Sequence, residues 1–204
     1  MSSSDPFSKP FAQSSDENKH VILQAIRPFL KAPSAVLEIA SGTGQHAVYF
    51  AENMPHLTWQ TSDLIETHIG IKQWIAEAGL SNVLPPLCLN VSEDDWPTTT
   101  YDAIFSANSF HIMAKRHVED FFKNVSQVLG KHGIVMIYGP FNDQGGYTSD
   151  SNERFDFWLK QRNPQSGIKD FEWCNQLAKS AELTLLKDIK MPQNNRILVW
   201  KKKG

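Results

Sequence analysis

The fold of this chain can be predicted from the segment Val36-Leu-Glu-Ile-Ala-Ser-Gly-Thr-Gly44. A short apolar run over 35–40 is typical of a buried strand, and Ser41-Gly-Thr-Gly44 interrupts it. Residues 45–53 then have the composition of a helix. Glycines at such a turn let the backbone reverse tightly and approach a ligand, because no Cβ stands in the way. Strand, glycine turn and helix in this order predict the first unit of a parallel sheet.

Strands and helices continue to alternate on both sides of this unit. A first helix, apolar from Val21 to Phe29, is predicted to be capped by Ser14 or Ser15 and to end at Pro33. The other predicted strands cover 57–62, 83–89, 101–107 and 133–138, the other helices cover 65–78, 118–129 and 151–160, and 183–189 with 197–200 form a closing hairpin. The pattern predicts an α/β fold: a Rossmann-like, doubly wound, mostly parallel seven-stranded sheet with a C-terminal antiparallel hairpin.

Two segments stand apart from this alternation. Residues 1–15 are rich in Ser, Pro and Lys and are predicted to form a flexible N-terminal segment, so that a single domain covers 16–204. Residues 139–170 contain long non-regular stretches, which in compact domains often serve as lids or substrate walls. We interpret them as a substrate-side insertion, with an ordinary exposed insertion as the alternative. Pro85 and Pro86 favour an edge position or a late start for the third strand.

Composition narrows the possible partners. The 204 residues carry 20 basic and 22 acidic side chains, a formal charge of −2, with a pI near 6.4. Nucleic-acid binders usually present a basic surface, so this balance argues against a nucleic-acid partner. No apolar run suffices to span a membrane, and the first residues lack the features of a signal peptide. Cys88 and Cys174 make no disulfide framework. These features predict a cytoplasmic protein without membrane or nucleic-acid partners.

Two acidic residues lie where the predicted strands meet the ligand crevice. Glu38 precedes Gly42 near the end of the first strand, where its carboxylate can point into the crevice. A carboxylate there would repel the pyrophosphate of a dinucleotide, but not the cationic amino-acid end of another ligand. Asp63 follows Gly44 by 19 residues, which suits hydrogen bonds to ribose hydroxyls. Both acids favour an adenosyl ligand without phosphates; a capping or salt-bridged Glu38 is the alternative.

The order of these features resembles the class I S-adenosylmethionine-dependent methyltransferases. The similar features are Val36–Gly44, Asp63, Asn90-Val91, Tyr101–Phe105 and the closing hairpin. More narrowly, the chain resembles the DUF938 group, also called the UPF0585 family and related to methyltransferase-like protein 26. The stretches that carry this narrower resemblance are Ser41–His46, Tyr138–Phe141, Ser151-Asn152, Phe155-Asp156, Gly167–Asp170 and Met191–Asn195.

The resemblance implies S-adenosylmethionine as cofactor and S-adenosylhomocysteine as its product. The implied cofactor-binding set is Glu38, Ala40, Gly42 and Gly44 at the methionine end, Asp63, Leu64, Asn90 and Val91 around the nucleoside, and Ala107 and Asn108 beside the transferable methyl group. Ala40 departs from the glycine that many class members have at this position. Asn90 keeps a hydrogen-bonding group where such enzymes often carry an acid.

Methyl transfer depends mainly on positioning, and a base is needed only where the acceptor must lose a proton. His111, which follows the fourth strand into the expected crevice, is the candidate base, with a structural histidine as the alternative. Neutral amides and aromatics suit a small polar or partly aromatic acceptor, although core packing also explains the aromatics. The predicted acceptor wall is Asn18, Tyr138, Asn142, Tyr147, Asn152, Phe155, Asp156, Trp158, Asn194 and Asn195. The other histidines lack metal-ligand spacing, so no metal is predicted.

Other functions remain open at this point. A nicotinamide-dependent oxidoreductase could use the same glycine loop, but Glu38 and the closing hairpin weigh against it. A nucleic-acid amino-methyltransferase would usually carry Pro-Pro and an aromatic residue where this chain has Asn108-Ser-Phe-His111. A non-catalytic adenosyl-binding or protein-interaction module on the same fold is the main alternative, because fold does not determine function. The filled positions Glu38, Asp63 and Asn90 argue against such a module. The oligomeric state is left open.

Overall fold

The computed structural model describes residues 9–32 and 34–204. The helices are α1 (Gln13–Ile26), α2 (Gln45–Asn53), α3 (His68–Ala78), α4 (Lys115–Val128), α5 (Asp150–Arg162) and α6 (Phe171–Ser180). The strands are β1 (Ser34–Ile39), β2 (Leu57–Asp63), β3 (Val83–Cys88), β4 (Tyr101–Ala107), β5 (Leu129–Gly139), β6 (Phe141–Asn142), β7 (Lys169–Asp170), β8 (Leu183–Lys190) and β9 (Arg196–Lys202). Residues 1–8 of the predicted flexible segment and the predicted helix stop at Pro33 lie outside the described residues.

Seven strands form one sheet in the order β3-β2-β1-β4-β5-β9-β8. The first five pair in parallel, and β9 pairs antiparallel with both β5 and β8. This confirms the predicted doubly wound sheet and its closing hairpin. Strand β3 lies at the edge, as its two prolines favoured. The strand order reverses between β1 and β4, so the carboxyl ends of these strands flank a crevice, which is where α/β sheets bind ligands.

Each face of the sheet buries an apolar cluster. Helices α1 and α2 pack on one face, and α4 and α6 pack on the other. Strand alternation divides β1 between the faces, since successive side chains point to opposite sides. Val36 joins the α1–α2 cluster, while Leu37 and Ile39 join the α4–α6 cluster. Because Glu38 shares the face of Val36, its side chain is directed under α2.

The structure differs from the predicted elements in four places. Helix α1 begins at Gln13 with no side-chain cap, so residues 13–15 are helical and neither Ser14 nor Ser15 caps the helix. Strand β5 begins at Leu129, directly after α4, and extends to Gly139. Helix α6 was not predicted, and β6 and β7 form a small second sheet that was not predicted either. None of the helices in the described ranges is long and apolar enough to cross a membrane.

Candidate functional site

A cavity of about 700 Å³ opens at the carboxyl ends of β1, β2 and β4. The β1–α2 turn, the end of β2, the loop after β3 and the β4–α4 loop form its walls, and residues before and within α1 close one side. Its volume is in the range of pockets that bind small molecules and cofactors. The residues that line it and that carry the argument below are Pro10, Ala12, Ala40, Gly42, His46, Asp63, Leu64, Glu66, Asn90, Val91, Ala107, Asn108, Ile112 and Met113.

The glycine turn uses left-handed backbone at three positions. Ala40, Gly42 and Gly44 have φ of 59°, 61° and 89°. A Cβ added at Gly42 would meet no atom within 4 Å, so this residue borders open space in the cavity wall. A Cβ at Gly44 would lie 3.2 Å from the Cα of Ile71. Gly44 therefore permits close packing of the turn on α3 and does not line the cavity, contrary to its predicted contact with a cofactor.

Asp63 is held firmly in the cavity wall at the end of β2. Its Oδ2 accepts a hydrogen bond from the Gly42 amide at 2.6 Å, and its Oδ1 accepts one from the Leu64 amide at 2.7 Å. Burial raises the pKa of this carboxyl, while the two amide hydrogen bonds act against that rise. Each oxygen retains further acceptor capacity. Asp63 thus joins the glycine turn to the second strand and presents a fixed acceptor pair to the cavity.

Glu38 does not point into the crevice as predicted. It lies on the face of β1 that packs under α2, it is buried, and its Oε2 accepts a hydrogen bond from Trp59 Nε1 at 3.2 Å. Burial raises the pKa of Glu38 to about 7, although hydrogen bonds from Trp59 and Ser41 oppose the change. The prediction failed because side chains along a strand alternate between the two faces of the sheet. Glu38 lies on the same face as Trp59.

The structure brings together most of the predicted cofactor residues. Of the ten, all except Glu38 and Gly44 line the cavity: Ala40, Gly42, Asp63, Leu64, Asn90, Val91, Ala107 and Asn108. Asn108, directly after β4, has left-handed backbone with φ of 56°, a conformation that Asn tolerates better than most residues. The four strand ends and loops that supply these residues converge because the strands are parallel.

The predicted base, His111, does not line the cavity. Its ring is buried and lies edge-on against Phe155, with 5.1 Å between ring centroids. Burial, with a smaller contribution from nearby Lys169, lowers the pKa of His111 to about 4. After Asn108 the loop turns so that Ile112 and Met113 face the cavity instead. The structure therefore supports the alternative of a structural histidine at this position.

None of the ten residues predicted as an acceptor wall lines the described cavity. Asp156 is buried and its hydrogen-bonding capacity is largely used. Its Oδ2 accepts from the Tyr147 hydroxyl at 2.7 Å and from Lys160 Nζ at 2.5 Å, and its Oδ1 accepts from the Ile168 amide at 2.6 Å. Asp156 therefore serves the internal structure of the insertion, and the hydroxyl of Tyr147 is one of its partners.

The remaining insertion residues are also engaged within the protein. Asn152 Nδ2 donates to Thr148 Oγ1 at 2.9 Å and to the Asn194 carbonyl at 3.3 Å. Phe155 and Trp158 stack with 5.9 Å between centroids, and Trp158 is exposed. Asn142 is buried, and its Oδ1 has no hydrogen-bond partner among the described residues. None of these side chains lines the described cavity, and most of them contact other residues of the protein.

Residues 166–169 of the insertion hold the β4–α4 loop through three successive carbonyl groups of that loop. The His111 carbonyl accepts from the Gly167 amide at 2.9 Å, and the Ile112 carbonyl accepts from Ser166 Oγ at 2.7 Å. The Met113 carbonyl accepts from Lys169 Nζ at 2.7 Å. We call residues 166–169 the carbonyl clamp. Since Ile112 and Met113 line the cavity, the clamp fixes one of its walls.

Residues 9–12, which we call the N-terminal strap, lie against the opposite wall. The Ala12 amide donates to Gln45 Oε1 at 2.6 Å, and Trp74 Nε1 donates to the Pro10 carbonyl at 2.7 Å. Lys9 Nζ lies 2.7 Å from a Glu77 carboxylate oxygen. Pro10 and Ala12 both line the cavity. Sequence reasoning missed this role because the strap has no regular structure and its contacts lie far along the chain.

His46 is a cavity residue that sequence reasoning also missed. It is buried, lines the cavity, and its Nε2 lies 2.7 Å from Asn18 Oδ1. Asn18 in turn contacts the hydroxyl of Tyr138, which Asn195 contacts as well. Three predicted acceptor residues therefore lie near one another, and Asn18 joins them to His46. Its position directly after the glycine turn was the signal that could have identified it.

No group of three or more His, Cys, Asp or Glu side chains in the described part of the chain is arranged to hold a metal ion. The side chains that line the cavity include two carboxylates, Asp63 and Glu66, and neither Lys nor Arg. The described cavity therefore offers a negative field to a ligand. Such a lining favours a cation and disfavours a phosphate.

Comparison with solved structures shows the same fold. The chain aligns with the S-adenosylmethionine-dependent methyltransferase SibL in its apo form (TM-score 0.79, 19% identity, 94% of this chain and 56% of that one). It also aligns with an O-methyltransferase family protein from Burkholderia thailandensis (0.77, 14%, 94% and 60%). A third match is human N-acetylserotonin methyltransferase in complex with SAM (0.76, 14%, 94% and 53%). The chain thus spans little more than half the length of each.

Residues 9–202 match the family described as "Protein of unknown function (DUF938)". The match covers nearly the whole chain and includes the glycine turn, the strap and the carbonyl clamp. The structural neighbours are class I S-adenosylmethionine-dependent methyltransferases. The chain therefore belongs to the DUF938 family, and its fold is that of the class I S-adenosylmethionine-dependent methyltransferases.

Proposed function

We propose that the protein is an S-adenosylmethionine-dependent methyltransferase that acts on a small, polar or aromatic molecule. One observation carries the proposal: eight of the ten residues predicted to bind this cofactor line a single cavity at the switch point of the sheet. Matching residues scattered over the surface would have given no such convergence.

The chemistry of the lining fits the proposed cofactor. S-adenosylmethionine carries a sulfonium cation and an amino-acid group but no phosphate, and Asp63 and Glu66 are the charged groups of the described lining. The nicotinamide alternative is disfavoured, because a dinucleotide would bring a pyrophosphate into a cavity lined by the carboxylates of Asp63 and Glu66. Open space at Gly42 admits a ligand close to the backbone.

The residues then have distinct tasks. Asp63 accepts hydrogen bonds from the ribose hydroxyls, and Leu64 packs beside the adenine. Asn90 offers its side-chain amide to the adenine edge, and Val91 offers its backbone amide. The bound cofactor supplies an electrophilic methyl group on sulfur. Ala107 and Asn108, fixed at the end of β4, border the place where acceptor and methyl meet. Orientation in a closed site accounts for much of the acceleration that such a displacement needs.

Binding of the cofactor can be tested by calorimetric titration with S-adenosylmethionine, S-adenosylhomocysteine and NADH. We expect micromolar binding of both adenosyl ligands and none of NADH. Asp63→Ala should weaken the adenosyl affinities by about 10- to 100-fold, because hydrogen bonds to a charged acceptor contribute about 1.5–3 kcal/mol.

Asp102→Ala is the matched control for this titration. Asp102 also accepts a backbone amide hydrogen bond, from Ala35 at 2.8 Å, but at the opposite end of the sheet. Its removal should leave the adenosyl affinities unchanged. Folded protein that binds neither adenosyl ligand would contradict the proposal. Binding without transfer to any small hydroxyl, thiol or amine would favour the non-catalytic module instead.

A further inference from the structure

The surroundings of His46 fix its ring in one orientation. The imidazole stacks on Phe50, with centroids 5.3 Å apart and planes 5° apart, and its edge faces Phe105 at 6.5 Å. Its Nε2 is 2.7 Å from Asn18 Oδ1. Aromatic contacts and one hydrogen bond together leave the ring little rotational freedom. Such pre-organisation is what a group that orients a reactant requires.

The partner of Nε2 also determines the tautomer. An amide oxygen accepts hydrogen bonds and cannot donate them, so the hydrogen of the neutral imidazole must be on Nε2. Nδ1 then carries the lone pair. Asn18 and Asn195 both lie near the hydroxyl of Tyr138, so polar side chains continue from His46 toward the β8–β9 turn.

The ring is neutral at physiological pH. Burial, with a smaller contribution from nearby Lys19, lowers the pKa of His46 to about 4, and the Ser15 carbonyl acts against both. The ring therefore adds no charge to the cavity. A neutral ring that lines the cavity can accept a hydrogen bond at its second nitrogen without attracting an anion.

Building on the methyltransferase function proposed above, we propose that His46 contacts the methyl acceptor: its Nδ1 accepts a hydrogen bond from the O–H or N–H group that becomes methylated. The acceptor class is thus a small neutral molecule with a hydroxyl or N–H nucleophile. Thioethers and other nucleophiles without a hydrogen are outside this class. His111, the residue favoured by the sequence, has no access to the cavity for this task.

The proton balance of the reaction is consistent with this role. The acceptor's oxygen or nitrogen forms a bond to the methyl carbon, and the electron pair of the broken sulfur–carbon bond stays on sulfur. The acceptor's hydrogen passes to Nδ1 and then to water. A weakly basic imidazole suffices, since a methylated hydroxyl that still carries its proton is a far stronger acid than an imidazolium.

The first test measures the tautomer of His46 and can be done without a methyl acceptor. Nitrogen-15 NMR of the histidine-labelled protein with bound S-adenosylhomocysteine should show, for His46, a protonated Nε2 and an unprotonated Nδ1 from pH 5.5 to 8. A ring protonated at Nδ1 would overturn the proposal. Failure of S-adenosylhomocysteine to bind at all would instead count against the methyltransferase function, so the two failures are distinguishable.

The second test uses phenol and anisole as probes of the same complex. Phenol has the O–H group that anisole lacks, and we expect it to bind about 3- to 10-fold more tightly, the value of one neutral hydrogen bond. Equal binding, or no binding of phenol, would overturn the proposal.

Two variants of His46 separate contact with the acceptor from support of Asn18. His46→Gln places an amide near the position of Nε2 and keeps the link to Asn18, so it should retain affinity for S-adenosylhomocysteine but lose the preference for phenol. His46→Asn places its amide near the position of Nδ1 and should restore part of that preference. A preference that persists in His46→Gln would mean that the ring serves only to hold Asn18.

Discussion

Among single residues, the buried carboxyl of Glu38 has a strongly raised pKa. It is 1% exposed, and burial raises its pKa to about 7. An unfolded chain would lose this proton at a pH of about 4.3. Between these two values the folded protein holds a proton that the unfolded chain has released. Because the folded state then binds more protons, stability falls as pH rises through this window.

Glu38→Gln should remove this dependence. The free energy of unfolding of the natural protein, minus that of the variant, should fall by about 3 kcal/mol between pH 4.5 and pH 7.5. Urea denaturation at several pH values measures it. The lowered pKa values of His46 and His111 make stability rise with pH, but both proteins share that effect, so it cancels. A difference that does not change with pH would show that Glu38 is ionised when folded.

At the scale of elements, the carbonyl clamp depends on α5. Asp156 on this helix accepts the Ile168 amide at 2.6 Å within the clamp. Asp156→Ala would leave that buried amide without a partner, so the free energy of unfolding should fall by about 2–3 kcal/mol. The β4–α4 loop should also loosen, and hydrogen exchange at the amides of Ile112 and Met113 should accelerate.

Lys160→Ala is the control for this prediction. Lys160 pairs with the same carboxylate, but its side chain is 53% exposed. Exposed ion pairs contribute little, about 0–1 kcal/mol, and the Ile168 hydrogen bond remains. If Asp156→Ala and Lys160→Ala lowered the free energy of unfolding equally, the ion pair rather than the clamp would stabilise this region.

The N-terminal strap gives a second prediction at this scale. A Cβ at Gly70 in α3 would lie 2.4 Å from Pro10 Cγ, so Gly70→Ala displaces the strap. The same change raises helix propensity by about 1 kcal/mol. Affinity for S-adenosylmethionine should therefore fall several-fold while the melting temperature stays the same or rises. Calorimetry and thermal unfolding measure the two quantities.

Lys72→Ala, at an exposed position of the same helix, is the matched control for the strap. It should leave cofactor affinity unchanged. If Gly70→Ala binds the cofactor as tightly as the natural protein, the strap does not contribute to the binding site.

At the scale of the whole molecule, local sequence predicts the sheet and the glycine turn well. The residues of the cavity lie at strand ends, and the ends of parallel strands meet wherever the sheet is doubly wound. Asp63 and Asn108 could therefore be placed from strand boundaries alone. Predicting these two positions did not require knowing the direction of any side chain.

Predictions that required a direction failed. Glu38 lies on the expected strand but faces Trp59, and His111 lies on the expected loop but faces Phe155. The polar residues of the insertion proved to bind one another, because contacts such as that between Asp156 and Ile168 depend on how α5 folds back. Composition identifies a polar segment but does not say whether its partners are a ligand or the segment itself.

The charge of the cavity bears on turnover. Asp63 and Glu66 line it without a compensating Lys or Arg among the described lining residues. The proposed reaction converts a sulfonium cation into a neutral thioether in this field, so the attraction between the carboxylates and the sulfur centre is lost at the moment of transfer. From the proposed reaction we therefore expect S-adenosylhomocysteine to bind less tightly than S-adenosylmethionine. A site of this polarity favours exchange of product for substrate after each cycle, and salt should weaken that discrimination.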